Sequence, residues 1–444
     1  MRFATVSLRR WSAHEGTHED AHDGARADED EDEDADEGAH MKIGIVTHTF
    51  VRSNGQGRVN LELARVALDA GCELTLICSE LDPSLVNHPR VRWVEIPEGR
   101  LPGRLFKYQS VAVRTARWLA KHRHELDIVH VNGFSAWTHA DVNSVHFVHR
   151  GFLNSGFYPY RMFRSLRDSY QTVFTVINAW LEGWAFRRSR VIVPVSHKVA
   201  EEVAQHDIDP SSMHVIHNGV DIEEFKPGPS ERASFGLPGA DGVDVPQRPF
   251  LLMFAGDITI SRKNLETVIS ALERLPDHVH LAVAANLVGT NPFAARVAEA
   301  GLTHRVHFLG MVKRMPALMR SVDAFVFPSR YEAMSLVLLE ALSSGLPVIT
   351  ARTAGGAEVI DAASGVILDD PNDVDGLTAA IGTLIADPVR ARGMGQAARE
   401  CALNLGWRSM GERYLALYRR LAASPAYETP SGNTDAAQRN TGSI

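Results

Sequence analysis

The chain has 444 residues, of which 45% are hydrophobic and 23% are charged, values that are ordinary for a globular protein and sufficient for two domains. No run of about 20 apolar residues occurs, and the first 40 residues lack the apolar segment of a secretory signal, so neither a membrane-spanning helix nor secretion is expected. The three cysteines show no metal-ligand spacing, which favours core packing in a cytoplasmic protein.

Residues 1–40 differ sharply in composition from the rest of the chain. They hold 13 acidic residues against 4 arginines, and a run of seven acidic residues spans Asp28–Asp34. Such a segment cannot bury enough apolar surface to offset its ordering entropy, so a disordered acidic extension is predicted. The other residues, 42 basic and 41 acidic, are nearly balanced, and no nucleic-acid-binding module is recognisable, so no nucleic acid is expected as a partner.

The first strand is predicted at residues 42–47, a short apolar run of the kind found in buried parallel strands. Similar runs separated by helical patterns lie near 73–78, 91–96, 127–131 and 141–146. This alternation predicts a Rossmann-like N-terminal domain over residues 41–224.

The segment Ser53–Arg58 follows the first strand and contains Gly55 and Gly57. Glycines there let the backbone approach a ligand closely, and Arg58 could reach the same ligand. A lone Gly-x-Gly is equally common in ordinary turns, so this segment is weak evidence by itself.

A histidine pair lies at the end of the strand pattern near 141–146. His146 and His149 are candidates for a functional histidine, because imidazole can exchange hydrogen bonds with a ligand near neutral pH. Taken alone, His146 would more often be a core histidine satisfied by its neighbours.

Residues 100–123 mix seven basic residues with apolar ones, and residues 156–189 are rich in aromatic side chains. A basic amphipathic helix can lie on an anionic membrane, which would suit a lipid-linked acceptor and peripheral binding at the inner face. A solvated helix face is the alternative.

A segment rich in Pro, Gly and Asp, residues 225–248, is predicted to be a linker. A second alternating set of strands and helices begins at Phe250 and predicts a C-terminal domain over 249–406. A helix at about 407–422 is expected to pack back onto the first domain, and residues 423–444 are predicted to be a disordered tail. The resulting α/β fold has two doubly wound domains with a ligand cleft between them.

Two glutamates, Glu332 and Glu340, flank the predicted N-terminus of a helix beginning near Met334–Leu336. The unpaired N–H groups there, at Met334, Ser335 and Leu336, attract anions or hydroxyl oxygens, and the carboxylates can accept hydrogen bonds from a sugar. Upstream, Arg262 and Lys263 follow a strand, where two cations could neutralise a diphosphate.

These motifs resemble those of glycosyltransferase family 4, retaining enzymes of the GT-B fold. The resemblance covers about residues 41–422 and rests on the two glutamates, Lys263, the series His217–Asp221 and the glycine pair Gly355-Gly356. It implies that Glu332 and His146 face the reacting sugar, that Glu340 holds the ribose of the donor and that Met311 lies at the nucleotide base. The departures are Ala333-Met334-Ser335 after the first glutamate and Asp257 after Gly256.

The resemblance further implies transfer from a nucleoside-diphosphate sugar, with UDP-hexose as a guess, to a glycan or lipid-linked acceptor. We recognise no Asp-x-Asp metal motif of the type that other glycosyltransferase folds use, so no cofactor and no metal are expected. Two alternatives stay open: another GT-B enzyme, such as a nucleotide-sugar 2-epimerase or a pyridoxal-phosphate-dependent phosphorylase, and a non-catalytic scaffold.

Overall fold

A computed structural model of the chain describes residues 41–97, 103–239, 248–286 and 289–424. The predicted acidic extension lies outside these residues, as do most of the predicted C-terminal tail, part of the predicted linker and the first residues of the basic segment. Among the described residues, no helix is both long and apolar enough to cross a membrane.

The N-terminal domain is built on a parallel six-stranded sheet of order β5-β3-β1-β6-β7-β8, whose strands are Lys42–Val46 (β1), Glu73–Cys78 (β3), Val91–Glu95 (β5), Ile128–Asn132 (β6), Ala140–Val145 (β7) and Ser189–Pro194 (β8). The two short strands Thr49–Phe50 (β2) and Glu80–Leu81 (β4) pair with each other. The helices are Gly55–Asp69 (α1), Pro83–Val86 (α2), Arg104–His122 (α3), His149–Asn154 (α4), Leu166–Phe186 (α5) and His197–Ala204 (α6). Apolar residues such as Ile43 and Ile45 are completely buried, because helices cover both faces of the sheet.

The C-terminal domain has a second parallel six-stranded sheet, of order β11-β10-β9-β12-β13-β14. Its strands are Phe250–Ala255 (β9), Val279–Ala284 (β10), Val306–Gly310 (β11), Ala324–Phe327 (β12), Val348–Ala351 (β13) and Gly365–Leu368 (β14). Its helices are Leu265–Leu272 (α7), Ala294–Glu299 (α8), Met315–Met319 (α9), Leu336–Ser343 (α10), Val374–Ala386 (α11) and Pro388–Leu403 (α12). The strand order reverses between β9 and β12, so the loops that follow these two strands flank one crevice.

The last described helix, Trp407–Ala422 (α13), packs on the N-terminal domain although it follows the C-terminal one. Its buried Tyr414 and Tyr418 share a core with β1, β3 and α1. The Tyr418 hydroxyl lies 2.6 Å from Nδ1 of His130, whose Nε2 lies 2.6 Å from Ser144 Oγ. Burial lowers the pKa of His130 to about 3, so this histidine is a neutral core residue.

The described part of the predicted linker packs against the C-terminal domain. Phe225 and Leu237 are buried there, and the Arg232 guanidinium, which is almost inaccessible, donates to Asp323 Oδ2 over 2.5 Å. The segment is therefore anchored on one domain before the chain enters β9.

Candidate functional site

The loops after β9 and β12 bring two cations and one carboxylate together. Glu332 Oε1 accepts hydrogen bonds from Arg262 Nη1 at 2.6 Å and from Lys263 Nζ at 2.7 Å. Arg262 and Lys263 end the short 3₁₀ helix Ser261–Lys263, which stops at Asn264 with a φ of 65°. The Asn264 side chain donates to the Pro328 carbonyl at 2.9 Å and thereby ties the two loops together. We call Arg262, Lys263 and Glu332 the acid–cation cluster; it carries one excess positive charge.

The backbone of Glu332 is supported by the glycine pair of the next loop. Gly355 N donates to the Glu332 carbonyl at 3.0 Å, and Glu332 forms a parallel bridge with Ala354. A Cβ on Gly355 would overlap the Ala333 carbonyl oxygen, so no larger residue fits without moving this backbone. The glycines therefore allow two loops to approach closely beneath the cluster.

The residues on both sides of Glu332 bind the other domain. Tyr331, which is buried, places its hydroxyl 2.9 Å from the Val148 carbonyl and 2.8 Å from Glu202 Oε2. The Ala333 carbonyl accepts from Ser196 Oγ at 2.8 Å. We call this interface between the two domains the seam. Because the residues before and after Glu332 are hydrogen-bonded across the seam, the position of Glu332 depends on how the two domains close.

His146 lies on the N-terminal side of this seam, directly after β7. The adjacent Phe147 ring packs 5.3 Å from the Tyr331 ring, so the segment with His146 meets the segment with Glu332. His146 is partly exposed, and desolvation of its ring by the surrounding protein lowers its pKa to about 4. The imidazole is therefore neutral at physiological pH and can act as a hydrogen-bond donor or acceptor.

His149, the second histidine candidate, has a different environment. Its Nδ1 lies 2.9 Å from Glu182 Oε2, and the nearly inaccessible Glu182 also bonds His206 at 3.1 Å. These hydrogen bonds hold the pKa of Glu182 below its usual value despite burial. These contacts favour a structural role for His149, and His146 remains the first candidate for a functional histidine.

Glu340 lies one turn inside α10, in a narrow crevice also lined by Arg58, Asp221, Leu336 and Trp407. Burial raises the pKa of Glu340 to about 7, while nearby Arg58 lowers it and Glu224 raises it. The Trp407 indole Nε1 is buried and has no hydrogen-bond partner among the described residues. The crevice thus offers a carboxyl acceptor and an indole donor.

Arg58 stands beside Glu340 and not beside the acid–cation cluster. Its Nε lies 2.7 Å from Glu62 Oε1, and its guanidinium lies over the Trp407 ring at 5.8 Å. The sequence predicted that Arg58 reaches the same ligand as the segment with Gly55 and Gly57. If it does so, it contacts the part of that ligand that lies beside Glu340.

Gly55 and Gly57 form the first turn of α1, where the sequence predicted a loop with the helix starting near residue 58. Asn54 caps this helix by accepting from Gly57 N at 2.6 Å, and a Cβ on Gly57 would crowd Asn54 Oδ1 at 2.8 Å. Gly57 is therefore required by the cap itself. Gly55 faces the second domain, since a Cβ there would lie 3.8 Å from Leu336 Cδ1.

The remaining predicted donor contacts lie at the ends of β11 and α10. Met311 is 68% exposed and follows Gly310, whose φ of 69° turns the chain after β11. Met334 is buried, and its carbonyl accepts from Asn218 Nδ2 at 3.2 Å. Ser335 is the N-cap of α10 without a side-chain capping bond, and Leu336 is its first residue.

Two residues that shape the site were not among the predicted site residues. Tyr331 precedes Glu332 directly, but its partners lie 129 and 183 positions away, so spacing carries no signal. Trp407 begins the helix that was expected to pack back onto the first domain, and nothing in the sequence indicates that its indole N–H lacks a partner beside α10.

Two facing parallel-sheet domains, with charged loops at the switch point of the second sheet, form the GT-B architecture. A family model described as Glycosyltransferase Family 4 matches residues 53–224, and one described as Glycosyl transferases group 1 matches residues 249–387. The chain belongs to glycosyltransferase family 4, and the sequence-based prediction of this family, of its fold and of a hexosyltransferase-type enzyme is confirmed.

Among curated relatives, the chain is 29% identical over 267 residues to alpha-maltose-1-phosphate synthase of Mycolicibacterium smegmatis, covering 56% of this chain and 67% of that protein. It is 29% identical over 399 residues to D-inositol 3-phosphate glycosyltransferase of Xylanimonas cellulosilytica, covering 81% and 89%.

Among solved structures, sucrose-phosphate synthase from Thermosynechococcus elongatus has a TM-score of 0.69 at 20% identity, covering 86% of this chain and all of that one. Anabaena HepE in complex with UDP and glucose has a TM-score of 0.63 at 19% identity, covering 85% and 99%. At these identities, the likeness shows the fold.

Proposed function

We propose that this enzyme transfers a hexosyl group from a nucleoside-diphosphate sugar to a glycan or lipid-linked acceptor with retention of configuration. The observation that carries the proposal is the acid–cation cluster at the switch point of the C-terminal sheet. Glycosyl transfer builds negative charge on the departing diphosphate, and preorganised cations stabilise that charge in the transition state. Arg262 and Lys263 each keep further N–H groups for phosphate oxygens while they bind Glu332.

Glu332 has two tasks in this proposal. It holds both cations in place, and its carboxylate can accept a hydrogen bond from a donor-sugar hydroxyl. His146 approaches the sugar from the other domain as a neutral imidazole, because its pKa of about 4 leaves it uncharged. At the other end of the donor, Glu340 accepts hydrogen bonds from ribose hydroxyls.

Retention is proposed to follow front-face attack. The acceptor oxygen forms a bond to the anomeric carbon, the bond from that carbon to the diphosphate oxygen breaks, and the acceptor proton passes to the leaving phosphate. The two protein cations take the charge-neutralising part that a divalent ion takes in other enzymes. The chemistry of transfer is therefore proposed to need no divalent metal, and EDTA is expected not to abolish transfer.

UDP-hexose is the proposed donor class because HepE, a structural neighbour, was solved with UDP and glucose. The relatives named for maltose-1-phosphate synthesis and inositol 3-phosphate glycosylation support a sugar or sugar-phosphate acceptor. A thermal-shift screen of UDP-, GDP- and ADP-hexoses tests the donor, since a ligand of the folded state raises its melting temperature.

Activity itself is tested by donor hydrolysis and transfer for wild type and Glu332→Ala. The proposal expects turnover by wild type and its loss in the variant. A scaffold would bind without turnover in either, and a 2-epimerase would convert the donor with no acceptor present; either outcome would replace the proposal.

An apolar stripe on α5 supports a membrane-bound location. Phe163, three residues before the helix, and Leu166, its first residue, are 92% and 93% exposed, and Trp180 further along is 67% exposed. Tyr170, Val173 and Val176 continue the stripe at helical spacing, and the exposed basic residues Arg161, Arg164 and Arg167 flank its N-terminal end. A helix with this pattern can embed its apolar side among anionic lipids. We therefore propose that the enzyme works in the cytoplasm, bound peripherally to the inner face of a membrane.

Liposome flotation tests this location. Wild type is expected to float with vesicles that contain anionic lipid and to stay unbound with neutral vesicles. Leu166→Ser with Trp180→Ser should abolish flotation, whereas Val389→Ser, which changes a similarly exposed residue on α12, should not. Equal flotation of all three proteins would exclude α5 as the membrane contact.

A further inference from the structure

A group of three metal-ligand side chains spans the seam between the domains, outside the acid–cation cluster. His197, the first residue of α6, and His217, in the loop after the 3₁₀ helix Pro210–Ser212, belong to the N-terminal domain; Glu358 belongs to the C-terminal one. Glu358 Oε1 lies 3.0 Å from His197 Nδ1 and 2.6 Å from His217 Nε2. Among the described residues, this is the group of three whose ligand atoms lie within 4.8 Å of one another.

The ligand types match a borderline-soft divalent cation. Two imidazole nitrogens and one carboxylate oxygen form a set typical of zinc, with bonds of about 2.0–2.2 Å and one position left for water. In a tetrahedral zinc site, bonds of this length place neighbouring ligand atoms about 3.3 Å apart. The three ligand atoms here already lie within 4.8 Å of one another, so side-chain movements on the order of 1 Å would form the site. The His197 side chain is 72% exposed, which leaves its ring free to move and gives the ion a route from solvent.

The carboxylate is already oriented for this task. Glu358 Oε2 accepts from the backbone N of His197 at 2.9 Å, at the N-terminus of α6. A ligating carboxylate held by such a hydrogen bond keeps its direction, and this kind of support raises metal affinity in known sites.

We propose that His197, His217 and Glu358 bind one zinc-class divalent cation that ties the two domains together. Glu358 lies in the 3₁₀ helix Gly355–Val359, the same element whose Gly355 N–H supports the Glu332 backbone. Metal binding across the seam therefore favours the closed arrangement that fixes Glu332. The cation touches none of the proposed donor-binding residues, so it is structural and distinct from the chemistry of transfer.

The test uses the full chain without an affinity tag, stripped with EDTA, dialysed and titrated with zinc. Bound zinc is measured by elemental analysis, and the melting temperature is measured with and without zinc. Wild type should bind one more zinc ion per chain than His217→Asn. Zinc should raise the melting temperature of wild type by roughly 3 °C or more and should leave that of the variant unchanged. Comparing variants cancels any zinc held by His14, His18, His22 and His40 of the acidic segment.

His214→Asn is the matched control, because His214 lies three residues from His217 and outside the ligand group; it should behave as wild type. If His217→Asn fails to fold, His197→Asn replaces it, since the exposed His197 ring contributes little to packing. Cobalt titration gives a second readout: a visible absorption band of low-symmetry Co²⁺ is expected for wild type and not for either ligand variant. Equal zinc content and equal zinc-dependent melting shifts in wild type and ligand variants would overturn the proposal, whatever the transferase activity.

Discussion

Glu332 and Glu340 are eight residues apart: Glu332 lies in the loop after β12, and Glu340 lies in α10, the helix that follows this loop. The electrostatic surroundings of the two carboxyl groups are nevertheless opposite. Glu332 bonds two cations within 2.7 Å, so its charge is compensated. Glu340 is partly exposed in a crevice where desolvation raises its pKa to about 7, while Arg58 attracts its charge and Glu224 repels it. One carboxylate therefore stays fixed in an ionic cluster, whereas the other can gain or lose its proton near physiological pH.

This difference suggests a division of labour. A compensated, immobile carboxylate can orient phosphate-binding cations and a sugar hydroxyl without reorganising during the reaction. A carboxyl group with a raised pKa suits a neutral ribose, whose hydroxyls can accept or donate hydrogen bonds. The predictions below compare the two ends of the donor.

The largest effect is expected at the cluster. Glu332→Gln should reduce transfer by about 10²–10³-fold, because a neutral amide cannot hold Arg262 and Lys263 in their preorganised positions. Steady-state kinetics with saturating donor measure the loss. Glu223→Gln, an exposed glutamate that pairs only with Lys226, is the control and should leave the rate unchanged. A rate within threefold of wild type for Glu332→Gln would remove Glu332 from the mechanism.

A smaller effect is expected from one phosphate-binding cation. Lys263→Met removes a charge-assisted hydrogen bond worth about 1.5–3 kcal/mol, so the Kd of a nucleoside diphosphate should rise about 10- to 150-fold. The Kd of the nucleoside alone should not change, because it carries no phosphate. Calorimetry of both ligands, with Lys226→Met as the control, makes the comparison. Equal weakening of nucleoside and nucleotide would place Lys263 elsewhere.

The smallest effect concerns pH. The pKa of Glu340 is raised from 4.5 to about 7, so the folded state keeps a proton that the unfolded state releases, and this group makes folding stability fall as pH rises from 4.5 to 7. If ionised Glu340 binds ribose, nucleoside affinity should be about tenfold higher at pH 8 than at pH 6, because the ionised fraction rises about tenfold. Glu340→Gln should show a flat profile over this range, and a wild-type profile that is equally flat would contradict the assignment.

Much of this arrangement follows from local sequence patterns. The alternation of apolar runs predicts two parallel sheets, and it places Arg262, Lys263 and Glu332 in loops after strands, at the edge where ligands of such sheets bind. Cross-domain contacts do not follow from such patterns. Glu358 is hydrogen-bonded to His197 and His217, which are 161 and 141 residues away in the sequence. Tyr331 is hydrogen-bonded to Val148, which is 183 residues away. The orientation of the Arg58 guanidinium likewise depends on the ring of Trp407, which lies near the other end of the sequence.

The most direct measurement is the Kd of the free nucleoside diphosphate for Glu332→Gln and Glu340→Gln, determined side by side by calorimetry at pH 8. Loss of the Glu332 charge frees two cations for phosphate, so this variant should bind the nucleotide as well as wild type or more tightly. Loss of the Glu340 charge should weaken binding about tenfold. Equal shifts in the same direction would contradict the division of labour between the two glutamates.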